Sequence, residues 1–595
     1  MKKNNWKNSW KKLCLIMTIL AVLLSALSLP AFAAEAALDV TTLYKNKDVD
    51  DSWSLTDAKA IDLDALAQGE TLTITEKGDY VLSGSLQGQV VVEVPEEDKV
   101  RLILNGVSIT AQEGPAIYEK QADKLILTLA EGTENTLTDG TPVTDDDDTI
   151  GAALYAEDDL SVNGTGSLLV NSTQKHGIQS KADLVIASGN ITVTSVLDGV
   201  RGRNSVLVLD GTLNITAGGD GVTSTRDDAE GKGWVVLAGG SVTVKTGEGA
   251  GAVQASANSQ GGMGGRGRWD DWGGWGAAGT QSSDNSVSQK AVKAATDLTV
   301  VGGTYSFDCA DDGLHAVNVY VSGGTFAIQS GDDAMHADQD LTVNGGTIDV
   351  AKCYEGLEGQ NVSVNGGDIR VVASDDGVNA SGGSDGSGFG GWGRSGGNTE
   401  MDNGGMLTIA GGHLEVTAGG DGLDSNGSIL ISGGVTGVCT PSSGMEGPID
   451  FNGTGTQTGG TLIITSGSGM TGGMGRMGGM GGMGGMGGMG ASLSGQASIT
   501  LSCSGSAGET IVLQNESGET LGEFTPKSAY GSVTISSASL QEGSSCTVLV
   551  SGKTLYSGVL QSTTAGTQNN GYGNWNNGNW NNGGGRGGQH GRRGW

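Results

Sequence analysis

Acidic side chains recur at one position of a repeat that is 21 to 22 residues long. Seven acids occupy this position, which we call the corner column: Asp198, Asp220, Asp312, Asp333, Glu355, Asp376 and Asp421. Five further acids precede members of the column by one residue or follow them by three: Asp311, Asp332, Asp375, Glu358 and Asp424. Most members of the column are followed by glycine, so each single occurrence can be explained as a tight Asp-Gly turn. A row of carboxylates in register needs a further explanation.

Stacked carboxylates repel one another unless cations lie between them. At the spacing of neighbouring strands, about 4.8 Å, the repulsion is about 0.9 kcal/mol per pair in water and about 3.5 kcal/mol at an effective dielectric constant of 20. Carboxylate and carbonyl oxygens are hard ligands, and the column contains neither cysteine nor clustered histidine. Calcium therefore fits better than zinc. We predict several bound Ca²⁺ ions, with ligands among these twelve acids.

The elements that would position the column are short strands, three in each repeat. Apolar residues form columns of their own, and the first of these contains Tyr305, Phe326, Ile348, Ile369 and Leu414. One repeat cannot bury such residues alone, so the repeats must stack. The sequence predicts an all-β fold, a right-handed parallel β-helix of about 21–22 residues per coil, with a small C-terminal β module. The handedness rests on analogy, because left-handed helices of hexapeptide repeats use about 18 residues per coil.

Changes in composition predict six segments along the chain. Residues 1–33 are a signal peptide, 34–78 an N-terminal lead-in, and 79–465 the β-helix, with Gly/Trp-rich inserts at 256–289 and 381–405. A Gly/Met-rich linker (466–492), the β module (493–562) and a disordered Asn/Gly/Trp tail (563–595) follow. Cys503 and Cys546 could form a disulfide within the β module, which the sequence leaves open.

The N-terminus and the charge of the chain narrow its location and its partners. Basic residues, an apolar stretch and Ala31-Phe32-Ala33 form a signal-peptide pattern, which predicts a secreted protein, extracellular or associated with the cell surface. The net charge is −33, and without the five lysines of the signal it is −38, from 28 basic and 66 acidic residues. We therefore expect no binding to nucleic acid and no membrane insertion. The predicted protein is a monomer whose partner is a polysaccharide, either neutral or bridged by cations.

The repeated Asp-Gly corner, the Gly-Gly closure of each repeat and the sequence GMEGPIDFNG at 444–453 resemble a known family. This is the bacterial secreted carbohydrate-binding family, whose members are calcium-containing right-handed parallel β-helices that bind cellulose and polygalacturonate. The resemblance covers about 80–562. It implies calcium ligands among Asp312, Asp333, Glu355, Glu358, Asp376, Asp421 and Asp424. The Trp-Gly inserts and the Gly-Met run depart from the family pattern.

Three functions are compatible with these features. The resemblance favours a secreted, non-catalytic, calcium-dependent binder of acidic plant or cell-wall polysaccharide such as polygalacturonate (pectin), or of cellulose, with an unassigned sugar-binding surface. A polysaccharide lyase or hydrolase is the first alternative, because Arg201 lies near the column and Asp311-Asp312 precede His315. A structural or adhesive surface protein is the second. Its tryptophans could stack on sugar rings: Trp269, Trp272, Trp275, Trp392, Trp575 and Trp580.

Overall fold

The computed structural model describes residues 38–67, 69–145, 148–251, 287–381, 404–440, 447–466, 493–541 and 543–559. The predicted signal peptide, most of both inserts, most of the Gly/Met-rich linker, the Asn/Gly/Trp tail and the six tryptophans named above lie outside these residues. The chain divides at Leu43 into two units, and the first contributes one described 3₁₀ turn, Val40–Thr42. Within the described ranges, no helix has the length and apolar character needed to cross a membrane.

The second unit consists almost entirely of strands, with one helical turn α1 (Asn46–Val49) and a 3₁₀ turn at Leu63–Ala65. The strands up to the first antiparallel hairpin are β1 (Lys59–Asp62), β2 (Thr71–Ile74), β3 (Gly78–Gln87), β4 (Gln89–Glu93), β5 (Lys99–Thr110), β6 (Ile117–Gln121), β7 (Lys124–Leu129), β8 (Glu134–Thr138), β9 (Val143–Asp145) and β10 (Asp148–Ile150). The next strands are β11 (Ala152–Ala156), β12 (Asp159–Gly164), β13 (Ser167–Asn171), β14 (His176–Ser180), β15 (Asp183–Ile186), β16 (Asn190–Ser195), β17 (Val200–Gly202), β18 (Ser205–Val208), β19 (Thr212–Ala217), β20 (Val222–Ser224), β21 (Trp234–Leu237) and β22 (Ser241–Thr246).

The chain continues in the same way after the first insert. These strands are β23 (Val292–Lys293), β24 (Asp297–Val300), β25 (Thr304–Cys309), β26 (Leu314–Val321), β27 (Thr325–Ser330), β28 (Met335–Val343), β29 (Thr347–Cys353), β30 (Leu357–Val364), β31 (Asp368–Ala373), β32 (Val378–Ala380), β33 (Met406–Ile409), β34 (His413–Thr417), β35 (Leu423–Ser425), β36 (Ser428–Ile431) and β37 (Val435–Cys439). The last strands are β38 (Gly455–Gln457), β39 (Thr461–Ser466), β40 (Ser498–Gly505), β41 (Ile511–Asn515), β42 (Thr520–Phe524), β43 (Tyr530–Ser537), β44 (Ser545–Val550) and β45 (Lys553–Val559).

Most of these strands belong to three parallel ladders, in which each strand pairs with the equivalent strand of the next repeat. The first ladder joins β1, β3, β5, β7, β12, β15, β18, β21, β24, β26, β28, β30, β33, β36 and β38. The second joins β3, β5, β8, β13, β16, β19, β22, β25, β27, β29, β31, β34, β37 and β39. The third joins β2, β4, β6, β11, β14, β17, β20, β23, β26, β28, β30, β32 and β35. The all-β prediction is confirmed.

The register of the second ladder matches the predicted apolar columns. Thr304 pairs with Thr325 and Thr325 with Thr347, which are offsets of 21 and 22 residues. The neighbouring Tyr305 and Phe326 are each 1% exposed, and their rings stack with centroids 4.8 Å apart. Burial of a side chain of this size stabilises the fold by about 1.5–3 kcal/mol. The columns therefore form one continuous core between the ladders.

The glycines after the corner acids are required by close packing between repeats. A Cβ atom on Gly377 would lie 2.0 Å from Val416 Cγ1 and 2.8 Å from the carbonyl oxygen of Gly422. Their φ angles are not in the left-handed region. The Asp-Gly pairs are thus explained by the absence of a side chain at a tight contact as well as by turn chemistry.

The two ends of the stack are built differently from its middle. β1 and β2 already pair in parallel with β3 and β4, so the ladders begin inside the predicted lead-in, 34–78, rather than at residue 79. The sequence before residue 79 lacks the Gly-Gly closure that marks later repeats. At the other end, β43 pairs antiparallel with β39 and β40, while β41, β42, β44 and β45 form a separate sheet. Cys503 in β40 and Cys546 in β44 are both free thiols, so the possible disulfide is not present.

A buried ion pair fastens α1 to the first ladder. Asp48 is 2% exposed, and its Oδ1 atom accepts hydrogen bonds from Lys124 Nζ (2.7 Å) and Ser161 Oγ (2.6 Å). Its Oδ2 atom accepts from the Lys45 backbone N–H at 2.7 Å. Burial by itself raises the pKa of Asp48, but these hydrogen bonds and the Lys124 charge outweigh it and lower the pKa. The segment before the first strand is therefore held by charge as well as by packing.

Candidate cation-binding site

The corner column lies where the chain passes from a strand of the second ladder to a strand of the third. There, five of the seven acids, namely Asp198, Asp220, Asp312, Asp376 and Asp421, accept a hydrogen bond from a backbone N–H group further along the chain. The Asp220 N–H donates to Asp198 Oδ1 (3.0 Å), and the Asp333 N–H donates to Asp312 Oδ1 (3.1 Å). The Asp421 N–H donates to Asp376 Oδ1 at 2.6 Å. The predicted register of these acids is confirmed, and their carboxylates satisfy amide groups that lie at the corner.

Asp198, the first acid of the column, contacts Arg201 and His176. Its Oδ2 atom lies 2.8 Å from an Arg201 guanidinium nitrogen and 3.2 Å from His176 Nδ1. Burial by itself raises the pKa of Asp198, but the His176 hydrogen bond and the two charges lower it. Arg201, the candidate proton-abstracting base of a lyase, is therefore engaged by Asp198.

Lys290 occupies the position of the column between Asp220 and Asp312. Its N–H donates to Asp220 Oδ1 (2.9 Å), and its carbonyl oxygen accepts from the Gly221 N–H. Its ammonium group contacts Asp312 Oδ2 at 2.6 Å and Asp311 Oδ1 at 3.0 Å. Burial, with the Asp198 charge, raises the pKa of Asp220. A lysine thus supplies internally the positive charge that the sequence suggested would come from bound cations.

Two histidines from neighbouring repeats stack beside the column, so histidine is clustered here, contrary to the expectation from the sequence. The His315 and His336 rings are paired in register, with centroids 4.8 Å apart and planes 19° apart. His315 Nδ1 lies 2.9 Å from Asp312 Oδ2. Burial by itself raises the pKa of Asp312, but the His315 hydrogen bond and the Lys290 charge hold it well below its ordinary value.

The second histidine faces two carboxyl groups. His336 Nδ1 lies 3.0 Å from Asp333 Oδ2 and 2.6 Å from Glu358 Oε2. Burial lowers the pKa of His336, whereas hydrogen bonds to these two acids raise it, to about 11. Burial, together with the Asp312 charge, raises the pKa of Asp333 well above its usual range. We call Asp312, His315, Asp333, His336 and Glu358 the histidine cluster.

Four further predicted ligands, Asp311, Asp332, Glu355 and Asp375, lie in the same stretch of the column. The carboxylates of Asp311, Asp312 and Asp332 each place an oxygen within 4.8 Å of the others. Glu355 Oε2 accepts from the Asn379 side-chain amide at 2.8 Å. Burial, followed by the Glu358 charge, raises the pKa of Glu355 to about 8. The Tyr354 hydroxyl hydrogen-bonds to Asp375, the acid before Asp376.

The last acids of the column meet an aspartate from the GMEGPIDFNG sequence. Asp421, Asp424 and Asp450 place one carboxylate oxygen each within 4.8 Å of one another. Asp421 is buried and accepts a hydrogen bond from the Gly447 N–H, whereas Asp424 and Asp450 are partly exposed. We call these three residues the oxygen cluster. Their donor set consists of oxygens alone, which fits a hard cation such as calcium.

The structure brings together most of the predicted site residues, and it adds four residues that sequence reasoning missed. The repeat frame identifies the acids because it fixes one position in every coil. Lys290 and His176 occupy the position of the corner column in their own repeats, but they are not acidic. A pattern of recurring acids therefore does not identify them. Asp450 belongs to the sequence GMEGPIDFNG, which by itself indicates no ligand. Asp338 is the fourth residue, and its Oδ1 atom lies 3.6 Å from His336 Nε2.

A separate cleft of about 530 Å³ opens beside the first ladder. Its lining combines the Trp234 ring with polar and charged groups, including Asp228, Lys232, Asp297 and Asn318. The Lys232 ammonium is held by Asp183 at 3.1 Å, and Asn318 donates to Asp297 at 2.8 Å. An aromatic face flanked by fixed polar groups can stack on a sugar ring and bind its hydroxyls.

Comparison with known proteins identifies the family of this chain. A family model described as "Carbohydrate-binding domain-containing protein" matches residues 68–334 and 317–391, together more than half of the chain. The chain belongs to this family. The family's matched residues contain the column from Asp198 to Asp376 and the histidine cluster, while the oxygen cluster follows them.

A relative and a solved structure are similar to parts of the chain. A carbohydrate-binding domain-containing protein of Acetivibrio thermocellus is 37% identical over 139 residues, which are 22% of this chain and 49% of the relative. The match thus spans about half of that family member. A structure described as the polysaccharide lyase-like protein from C. thermocellum, a gadolinium derivative, is 25% identical, with a TM-score of 0.34. It covers 45% of this chain and 96% of its own.

Proposed function

We propose that this protein is a secreted, monomeric, non-catalytic binder of acidic polysaccharide such as polygalacturonate, which it holds through calcium. The family supports carbohydrate binding. The observation that carries the calcium proposal is the oxygen cluster, where three carboxylates converge and two remain partly exposed. A calcium ion takes six to eight oxygen ligands, so three aspartates leave positions for the carboxylates of a uronate chain. This resolves how a chain of net charge −33 could hold a polyanion.

The architecture that presents this cluster is proposed to be a right-handed parallel β-helix. Three ladders that repeat in constant order, around one apolar core from Leu63 to Leu493, support this proposal. The repeat offset of 21 and 22 residues favours the right-handed form by analogy. Stacked coils would present an elongated face, which suits a long polymer.

The predicted calcium ligands differ in how well their surroundings fit calcium. Asp198 and Asp312 already contact Arg201 and Lys290, and a calcium ion there would have to compete with these cations. The oxygen cluster has no imidazole among its three donors. We therefore propose that the calcium ion that bridges to the polysaccharide binds at Asp421, Asp424 and Asp450. Calcium binding by the other acids of the column stays a prediction.

The test is retention of the protein without its signal peptide on immobilised polygalacturonate. We expect retention in calcium, loss of retention with a calcium-selective chelator, and recovery when calcium is restored. Fully methyl-esterified pectin serves as the matched control, because it lacks the free carboxylates that calcium would bridge. Unchanged retention in the chelator would overturn the calcium mechanism, and absorbance of unsaturated product from the same polymer would reveal a lyase.

Cellulose is the second candidate ligand, and the Trp234 cleft favours it. An uncharged sugar chain needs no bridging cation, and stacking on one aromatic ring contributes roughly 1–3 kcal/mol, by analogy with base stacking. We expect Trp234→Ala to weaken binding to soluble β-glucan about tenfold or more, with polygalacturonate retention unchanged. Affinity electrophoresis measures both. Trp53→Ala is the control, since Trp53 packs against Val81 and Ile103 instead of lining the cleft.

A further inference from the structure

Three potential ligand atoms converge beside the corner column, in the histidine cluster. His336 Nδ1 lies 3.0 Å from Asp333 Oδ2 and 2.6 Å from Glu358 Oε2, and one potential ligand atom of each residue lies within 4.8 Å of the other two. All three side chains are at least largely buried. They come from two neighbouring repeats, because His336 in β28 pairs with Glu358 in β30.

Hydrogen bonds alone do not satisfy this arrangement well. An imidazole nitrogen carries at most one hydrogen, so His336 Nδ1 can donate a good hydrogen bond to only one of its two acidic neighbours. The other ring nitrogen, Nε2, is buried without a hydrogen-bond partner. Its nearest acidic oxygen is Asp338 Oδ1, at 3.6 Å, which is too far for a hydrogen bond.

The surroundings of His336 resemble those of a histidine that binds a metal ion. An imidazole that binds a metal through one nitrogen directs its other N–H toward a carboxylate, which orients the ring, and Asp338 lies in that direction from His336. Donors bound to one ion at about 2.0–2.1 Å are separated from each other by roughly 3 Å, close to the distances observed here. The stacked His315 ring lies beside His336, with its Nδ1 atom 2.9 Å from Asp312 Oδ2.

We propose that Asp333, His336 and Glu358 form a site for a borderline transition-metal ion of the zinc class, distinct from the calcium of the oxygen cluster. Imidazole suits such ions, whereas calcium takes oxygen ligands at 2.3–2.6 Å. The ion links two successive repeats inside the corner and takes no part in holding the polysaccharide.

The experiment measures metal binding by the full mature chain, stripped of metal and then dialysed against Zn²⁺ in excess Ca²⁺. We expect one tightly held zinc per chain, and zinc-edge X-ray absorption that shows imidazole among the ligands. His336→Gln keeps a polar side chain but removes the nitrogen ligand, and we expect zinc affinity to fall about 100-fold or more.

The matched control is His413→Gln, because His413 also faces carboxylates, with Nδ1 3.2 Å from Asp368 Oδ1, but lies outside the cluster. Its zinc content should equal that of the unmodified protein. Absence of stoichiometric zinc, displacement of zinc by calcium, or an absorption spectrum without imidazole would overturn the proposal. The spectrum of the unmodified protein decides the question even if His336→Gln does not fold.

Discussion

The variant Asp424→Asn/Asp450→Asn is expected to lose calcium-dependent retention on polygalacturonate, with an affinity for Ca²⁺ that falls by ~100-fold or more. The two substitutions keep side-chain size but remove two of the three carboxylates of the oxygen cluster. Calcium affinity depends strongly on the number of charged ligands, and Asp421 alone is a poor site. Both aspartates are partly exposed, so we expect the fold to persist. Calcium titration by calorimetry and retention on the polymer measure the two effects.

The control for this variant must remove the same charge from another place. Asp57→Asn/Asp349→Asn does so at two exposed positions, and it should bind calcium and polygalacturonate as the unmodified protein does. If both double variants behaved alike, the oxygen cluster would not be the bridging site. Loss of retention in the control as well would indicate a general effect of net charge.

Asp48→Ala is expected to destabilise the N-terminal part of the stack by about 3–5 kcal/mol, because it leaves the Lys124 ammonium buried without its closest carboxylate. The effect should be local, since each repeat of a stacked fold contacts only its neighbours. Amide hydrogen exchange therefore measures it best: β7 and β12 should exchange faster by roughly 150- to 5,000-fold. Exchange in β36 and β37 should not change.

The double variant Asp48→Ala/Lys124→Met separates the loss of the pair from the burial of an unpaired charge. It should be more stable than Asp48→Ala alone, because the Lys124 ammonium is no longer buried without its closest carboxylate. The pKa of Asp48 is lowered in the folded protein, so its contribution is complete above the unfolded pKa and is lost as the pH falls through the folded value. Equal protection of β7 and β12 in acid and at neutral pH, after correction for the intrinsic pH dependence of amide exchange, would contradict this assignment.

The sequence predicts the ladders and the corner column because both follow from one period. Once the offset of 21 and 22 residues is known, Tyr305 must stack on Phe326 and Asp312 must lie beside Asp333. Pairing in parallel fixes the register of every side chain on a strand. The same argument fails at the ends, where β1 and β2 lack the repeated turn sequence and β43 joins antiparallel.

The chemistry of the column was harder to predict than its position. Repulsion between carboxylates implied bound cations, but Lys290 and Arg201 supply positive charge from within the chain. Backbone amides of the next repeat also donate to these carboxylates. Lys290 follows a long insert and therefore falls outside any simple count of residues. Charge balance depends on such three-dimensional neighbours, which the period alone does not reveal.

Lys290 divides the corner column into two stretches that differ in their charged residues. On its N-terminal side, His176 and Arg201 accompany Asp198. On its C-terminal side, the column positions from Asp312 to Asp421 are acidic in the described repeats. Asp198 is thus paired with a guanidinium group of the chain itself, whereas Asp421 lies in a cluster of three carboxylates. If calcium bridges the polymer at the oxygen cluster, as we propose, the polysaccharide is bound at the C-terminal part of the stack. It is then released from there when the calcium concentration in the surroundings falls.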